Sequence, residues 1–182
     1  MKKLLIILFL FGFTGFVYSQ IAFNHKPTKL DTRETFRTKP MAKSNVVNTN
    51  YHNAIILTTQ SDRVKSLEQR VANYNITKQD IFKEKRNTYA INFKDPNYNG
   101  RINAYFNKEG QLIKSYELFK NVKLPHAIWN KIYNEYPESV IQKTVYRVHY
   151  SIVNGTSKQY KVTIIQNNEK KQVKLDGNGN FI

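Results

Sequence analysis

The segment LPHAIWNKIYNEYP, residues 124–137, sets the reading of the whole chain. Wound into a helix, it lines up Leu124, Ile128 and Ile132 on one stripe with Ala127 beside them. Trp129, Tyr133 and Tyr136 fall on an adjoining aromatic stripe. Pro125 suits the first helical turn, where no amide donor is needed, and Pro137 prevents the helix from continuing. Such a helix is expected to cover one face of a sheet, with its aromatic stripe in the core or at the core edge.

The text on either side runs in the same order, a helix and then alternating segments. Upstream, Ala54 to Leu57 is a short apolar run that reads as a strand or as the lead-in to a helix. Ser61 or Asp62 then caps a segment in which Val64, Leu67 and Val71 recur at helical spacing with Tyr74 following. Alternating stretches come next, weak over 81–85 and clear at Tyr89, Ile91 and Phe93, at Ile102, Ala104 and Phe106, and over 112–118. DPNYNG (95–100) and NKEG (107–110) separate them with turn residues. Downstream of residue 137 the strands are expected at 140–151, 160–166 and 171–175, with turns at NGTS (154–157), NNEK (167–170) and DGNG (176–179). FNKEGQLI (106–113) aligns without a gap on LDGNGNFI (175–182), and Tyr74 falls over Tyr136. The predicted fold is α+β: a tandem duplication of a helix plus an antiparallel meander sheet, one helix covering one face of each sheet. Repeat one spans about 61–118 and repeat two about 121–182, within a domain of residues 51–182.

Alternation assigns the faces. Tyr89, Ile91, Phe93, Ile102, Ala104, Phe106, Tyr146, Val148, Tyr160, Val162, Ile164, Val173 and Leu175 are expected inward. Asn92, Lys94, Arg101, Asn103, Tyr105, Val145, Arg147, His149, Lys161 and Thr163 are expected outward, on a face that no helix covers. Within that polar and basic set, Arg101, Tyr105, Arg147, His149 and Lys161 are the candidate partner-binding residues. Arg and Tyr are enriched at interfaces, and they recur on the same predicted face of both halves.

The first residues read as an export signal. Met1, Lys2 and Lys3 precede an apolar run from Leu4 to Phe13, and Val17 and Ser19 stand where a signal peptidase would cleave after Ser19. That run is shorter than the roughly 20 residues a spanning helix needs, and no later segment approaches them, so the mature protein is expected outside the cytoplasm, periplasmic or extracellular. Residues 20–50 are polar and basic with no apolar period and are expected to form a flexible leader. There is no cysteine, so neither a disulfide nor a lipidated N-terminal cysteine is available. Removing Lys2 and Lys3 from the 29 basic residues leaves 27 against 13 acidic ones, a net charge near +14. In an exported protein this charge argues against nucleic acid and toward an acidic protein or an anionic envelope component.

The order of signal peptide, helix, sheet, LPxxVxxxIxxxYP-type helix and sheet, with Asp/Asn-x-x-Gly turns, resembles the PepSY-like exported proteins of Bacteroidetes. Their duplicated fold is similar to that of beta-lactamase inhibitory protein. Leu124, Pro125, Ile132, Tyr136 and Pro137 carry the likeness in the helix, and residues 107–113 and 176–182 carry it in the turns. The resemblance covers roughly residues 61–182 and implies a duplicated fold and a role in binding or inhibiting proteins such as peptidases. It transfers no catalytic residue, because its motifs are structural. The absence of disulfides departs from the inhibitor itself.

No catalytic constellation emerges. GxSxG, a cysteine nucleophile, GxxxxGK[ST] and GxGxxG are all absent. His25, His52, His126 and His149 have no mutual ligand spacing. DGNGN (176–180) imitates the start of a calcium loop but lacks the glycine and the bidentate Glu that such a loop needs, and is expected as a tight turn with Gly179 at positive φ. Glu135 and Glu138 read as a solvated helix end. The expectation is a non-catalytic exported binding protein with no cofactor or metal. The alternatives are a periplasmic enzyme with an unrecognised site or a structural envelope protein.

Overall fold

The computed structural model describes residues 46–95 and 99–182. The expected signal peptide, its cleavage point, His25 and most of the expected leader lie outside them. Among the described residues three α-helices, α1 (Thr49–Ile55), α2 (Asp62–Ala72) and α3 (His126–Glu135), accompany six strands: β1 (Thr88–Lys94), β2 (Gly100–Asn107), β3 (Leu112–Lys120), β4 (Val140–Ser151), β5 (Gly155–Gln166) and β6 (Glu169–Asp176). The fold is α+β, and the strands form one antiparallel meander in the order β1-β2-β3-β4-β5-β6.

One sheet replaces the two that were expected. β3 pairs with β4 from Lys114↔Ser151 to Lys120↔Val145, so the halves are joined along their facing edges. The physical reason is the backbone: two separate meanders would leave β3 and β4 as edges with rows of unpaired N–H and C=O groups, and pairing them satisfies both rows at once. The segment over 81–85 is not a strand. Asp80–Glu84 is a 3-10 turn that ends with Lys85 at φ +48°. The β4–β5 turn falls at residues 152–154, so Gly155 already belongs to β5. Asn167 and Asn168, both at positive φ, make the two-residue turn into β6.

The core lies between the helices and one face of the sheet, and the assigned inward side chains fill it. Tyr89, Ile102, Ala104, Phe106, Tyr146, Val148, Val162, Ile164 and Leu175 are all buried, and they form one cluster with Val64, Leu67 and Val71 of α2 and with Ile128 and Ile132 of α3. Helix α2 lies over β1 and β2, whereas α1 lies over β4 and β5. The run at 54–57 is therefore helical, the end of α1 followed by a 3-10 turn. Its Ile55 and Ile56, with Tyr51, are fully buried. Thr163 is outward by register but buried, flanked across the ladder by Lys143 and Gln172.

Part of the expected leader belongs to this fold. The amides of Val47 and Asn48 donate to the Ala72 carbonyl at 3.1 and 2.8 Å, and buried Asn48 Nδ2 donates to the carbonyls of Val71 and Tyr74, each at 2.9 Å. These donors satisfy carbonyls that the end of α2 would otherwise leave open. Asn48→Ala is expected to lower the unfolding free energy by about 1–2 kcal/mol, measured by urea denaturation, because buried carbonyls lose their donor. Unchanged stability would mean that water replaces the amide.

The two aligned turns close with the same bonds. Asn107 N–H donates to the Gln111 carbonyl (2.9 Å), Gly110 N–H to the Asn107 carbonyl (3.0 Å), and Gln111 N–H to Asn107 Oδ1 (2.8 Å). Asp176 N–H donates to the Asn180 carbonyl (2.9 Å), Gly179 N–H to the Asp176 carbonyl (3.1 Å), and Asn180 N–H to Asp176 Oδ1 (2.8 Å). Gly110 and Gly179 sit at φ +81° and +82°, in the left-handed region that glycine enters without a steric penalty.

Candidate functional site

Three features stand apart from the ordinary core: the sheet face that no helix among the described residues covers, a buried pair of carboxyl groups, and a groove on the helix side of the sheet.

Register brings all five candidate residues onto the uncovered face. Asn103 on β2 lies opposite Tyr116 on β3, which lies opposite His149 on β4. Arg101 lies opposite Leu118, and Leu118 opposite Arg147, while Tyr105 pairs with Lys114 and Val145 with Lys161. Arg101 and Arg147 are exposed, whereas Tyr105, His149 and Lys161 are half-buried. The Tyr116 and His149 rings are stacked, with centroids 4.6 Å apart and planes within 6° of parallel, and Tyr105 meets Tyr116 edge-on at 6.0 Å. Lys114 Nζ stands 5.0 Å from the Tyr105 ring and 5.5 Å from the Tyr116 ring, within cation–π range of both. His149 Nε2 is shielded from solvent and has no hydrogen-bond partner among the described residues. Asp176 is the single carboxylate at an outward position of the described strands. Its Oδ1 accepts from the amides of Asn178 and Asn180, and Oδ2 from Asn180 Nδ2. These bonds hold its carboxyl below the usual range and give the DGNGN loop its job, closing a turn. Tyr116 and Lys114, which complete the ring ladder, were legible from the alternation of β3 but were not singled out.

The buried pair was missed. Glu68 on α2 is 0% exposed and Glu117 on β3 is 3% exposed. Tyr51 Oη and Ser115 Oγ both donate to Glu117 Oε1, at 2.9 and 2.8 Å. Glu117 Oε2 and both oxygens of Glu68 have no donor among the described residues, and Thr59 Oγ1 gives its proton to the Ile55 carbonyl at 3.0 Å. Two ionised carboxylates cannot donate to each other, but protonating one makes donor and acceptor of the pair. Burial raises both groups above the ordinary carboxylate range, and for Glu117 the neighbouring Glu68 charge raises it further. Lys158, whose Nζ donates to Thr58 Oγ1 at 2.6 Å, is the nearby cation, and its own burial lowers its pKa. The signal lay in the periodicity: Glu68 falls inside the Val64–Leu67–Val71 stripe, and Glu117 shares its parity with inward Ser115 and Phe119. Neither carboxyl is among the residues that line the groove described next.

The groove, about 1150 Å³, lies between the loop entering α2, the segment entering α3 and the strands β4 and β5. Its lining reaches the edge of the core at the buried, stacked pair Tyr146 and Tyr160, with centroids 4.6 Å apart. Trp129 and His126 stand at its side. Here the expectation for α3 is corrected. Trp129 is 43% exposed and Tyr133 48%, stacked on one another at 5.2 Å, and only Tyr136 is half-buried. The apolar stripe Ile128–Ile132 alone turns to the core, because two bulky rings one turn apart gain most of their contact from each other. Glu135 and Glu138 are exposed, and among the described residues no three His, Asp or Glu side chains are placed to hold a metal ion.

No protein-family model, no curated protein and no solved structure matches this chain.

Proposed function

We propose that this protein is a non-catalytic exported binding module whose uncovered sheet face docks an acidic protein partner. The observation that carries the reading is the ladder of Tyr105, Lys114, Tyr116 and His149, set among Arg101, Arg147 and Lys161, on a face where the one carboxylate of the described strands is already engaged in a turn. Rings and guanidinium groups supply contact area and directional donors, while the unbalanced positive charge attracts an acidic surface. Export rests on the Lys2–Lys3 and Leu4–Phe13 pattern ending at Ser19. The matching bonds at Asn107–Gln111 and Asp176–Asn180 support a duplicated ancestry of the PepSY-like kind, with the halves merged along one sheet.

The test converts Arg101, Arg147 and Lys161 to Glu in the mature protein and measures capture of acidic proteins from envelope extract, with circular dichroism as the folding control. Capture is expected to fall by about tenfold or more. The association rate of the unaltered protein is expected to drop as salt rises, because screening acts beyond about 8 Å at physiological ionic strength. Capture by the triple variant equal to that by the unaltered protein would remove this face from the reading.

A further inference from the structure

We propose that the open edge of β1 is the docking site for an extended segment of an acidic partner, which adds to the sheet as a further strand. The edge is separate from the ladder of Tyr105, Tyr116 and His149, and the inference stands whether or not that face binds.

The two edges of the sheet are finished differently. Along β6, Lys170, Lys171 and Lys174 are exposed, the Ile182 amide donates to the Lys174 carbonyl at 3.1 Å, and Phe181 bridges to Leu175. Lysines and a covering segment are devices that keep foreign strands off an edge. β1, with the sequence TYAINFK, has none of them. It carries no proline, its pairing with β2 has no bulge, and Lys94 at its end is its one charged residue. Among the described residues no strand pairs on its far side. The backbone is open there. The Asp95 amide donates to the Gly100 carbonyl at 3.1 Å, so alternation along the ladder makes Phe93 with Ile102, Ile91 with Ala104 and Tyr89 with Phe106 the bonded pairs. The N–H and C=O groups of Thr88, Ala90 and Asn92 therefore point away from β2. The Lys94 carbonyl points the same way, and Arg70 Nη1 donates to it at 3.2 Å. Unpaired groups in such a row are what an incoming extended peptide uses for affinity.

The surroundings of the edge select the occupant. On the helix side an added strand would lay every second side chain beside Ile91, which is half-buried and packs against the core. Its other side chains would lie on the sheet's uncovered side, where the charge is cationic. Arg70, Lys94 and Arg101 gather at one end of β1 against the carboxylate of Asp95. Lys94 and Arg101 are opposite each other in register, both exposed, and neither forms an ion pair among the described residues. At the other end Lys83 pairs with Asp80 and Arg86 with Glu84, which leaves Lys85. A second copy of this chain would set these cations against their own kind. A segment with apolar residues at alternate positions and carboxylates between them satisfies the backbone, the Ile91 side and the charge together.

The probe is a peptide of alternating valine and glutamate, as long as β1, titrated into the mature protein at physiological salt. In the free protein the amides of Thr88, Ala90 and Asn92 are expected to exchange quickly with solvent. The peptide is expected to bind saturably and to slow those three amides by about tenfold or more. Ala90→Pro deletes one outward donor at an edge position, where proline is tolerated. It is expected to weaken binding by about tenfold or more, with an unchanged circular dichroism spectrum. A peptide with every amide methylated tests the ladder without altering the protein, and one alternating valine with lysine tests the charge. Both are expected to bind at least about tenfold more weakly. Arg147→Glu with Lys161→Glu, on β4 and β5, is expected to leave binding unchanged, which separates this edge from the docking face. Edge amides already protected in the free protein would overturn the proposal, since the edge would then be closed by the chain itself or by a second copy. So would absence of saturable binding, binding that leaves the three amides unaltered, or equal affinity for the methylated or the lysine peptide.

Discussion

Replacing Glu117 with Gln is expected to raise the stability of the domain at about pH 8.5 and to leave it nearly unchanged near pH 4. In the unfolded chain both glutamates release their protons near 4.5, whereas in the fold burial pushes Glu68 up to about 7, and burial with the neighbouring Glu68 charge pushes Glu117 up to about 8. Between those values the folded state binds more protons than the unfolded one, so stability falls as pH rises through this window. Below it both groups are neutral in either state and their charges cost nothing. At roughly 1.4 kcal/mol for each pH unit, the loss due to Glu117 across the window is at most on the order of 5 kcal/mol. The amide of Gln removes one of the two charges and donates to Glu68, while its carbonyl oxygen still accepts from Tyr51 and Ser115. Urea denaturation at the two pH values should therefore show a shallower pH dependence for Glu117→Gln. Glu117→Ala is expected to be less stable than Glu117→Gln at both, since two buried hydroxyls lose their acceptor and a cavity opens. An unchanged pH slope in the Gln variant would show that the pair does not hold a proton.

Gly110→Val is expected to destabilise by about 2–4 kcal/mol, and Gly179→Val by about 1–2 kcal/mol. Both positions have φ near +80°, where a β-branched residue is strained, and that cost is common to the two. The difference comes from the surroundings. A Cβ at Gly110 would stand 2.4 Å from Thr77 Cγ2, whereas at Gly179 the nearest atom is Ile128 Cγ1 at 3.3 Å. Thr77 has little room to withdraw, because its hydroxyl and amide both donate to Asn75 Oδ1, at 2.6 and 3.0 Å. Adding Thr77→Ser, which deletes the clashing methyl but keeps both donors, should recover part of the loss at Gly110 and none at Gly179. Equal effects at the two glycines, with no recovery, would show that backbone strain alone sets the cost.

The local rules in this sequence were strong enough to determine its elements and their faces. Period-two alternation placed Tyr89, Ile102, Phe106, Tyr146, Val162 and Leu175 on the buried side, and Arg101, Tyr105, Arg147, His149 and Lys161 on the other. Proline at both ends bounded α3, and Asn or Asp with Gly three residues later specified two turns down to their hydrogen bonds. These features depend on residues within a few positions of one another, where sterics and short-range bonds decide the outcome.

What required the tertiary structure depends on partners far apart in the chain. Whether β3 meets β4 is settled by pairing two backbones across the connection of residues 121–139 that carries α3, and no side-chain pattern in either strand encodes it. Residues 47–58 read as polar leader and a short apolar run until α2 and the sheet offered Asn48, Tyr51 and Ile55 a place to be buried. The carboxyl pair exists only because α2 packs its Glu68 toward inward-facing Glu117, 49 residues further on. The groove likewise gathers its lining from four separate stretches, within residues 59–63, 121–129 and 141–146 and at Tyr160. Long-range packing creates low-dielectric sites and concave surfaces that no local window contains, and so the sequence determined the faces while the tertiary structure decided what those faces enclose.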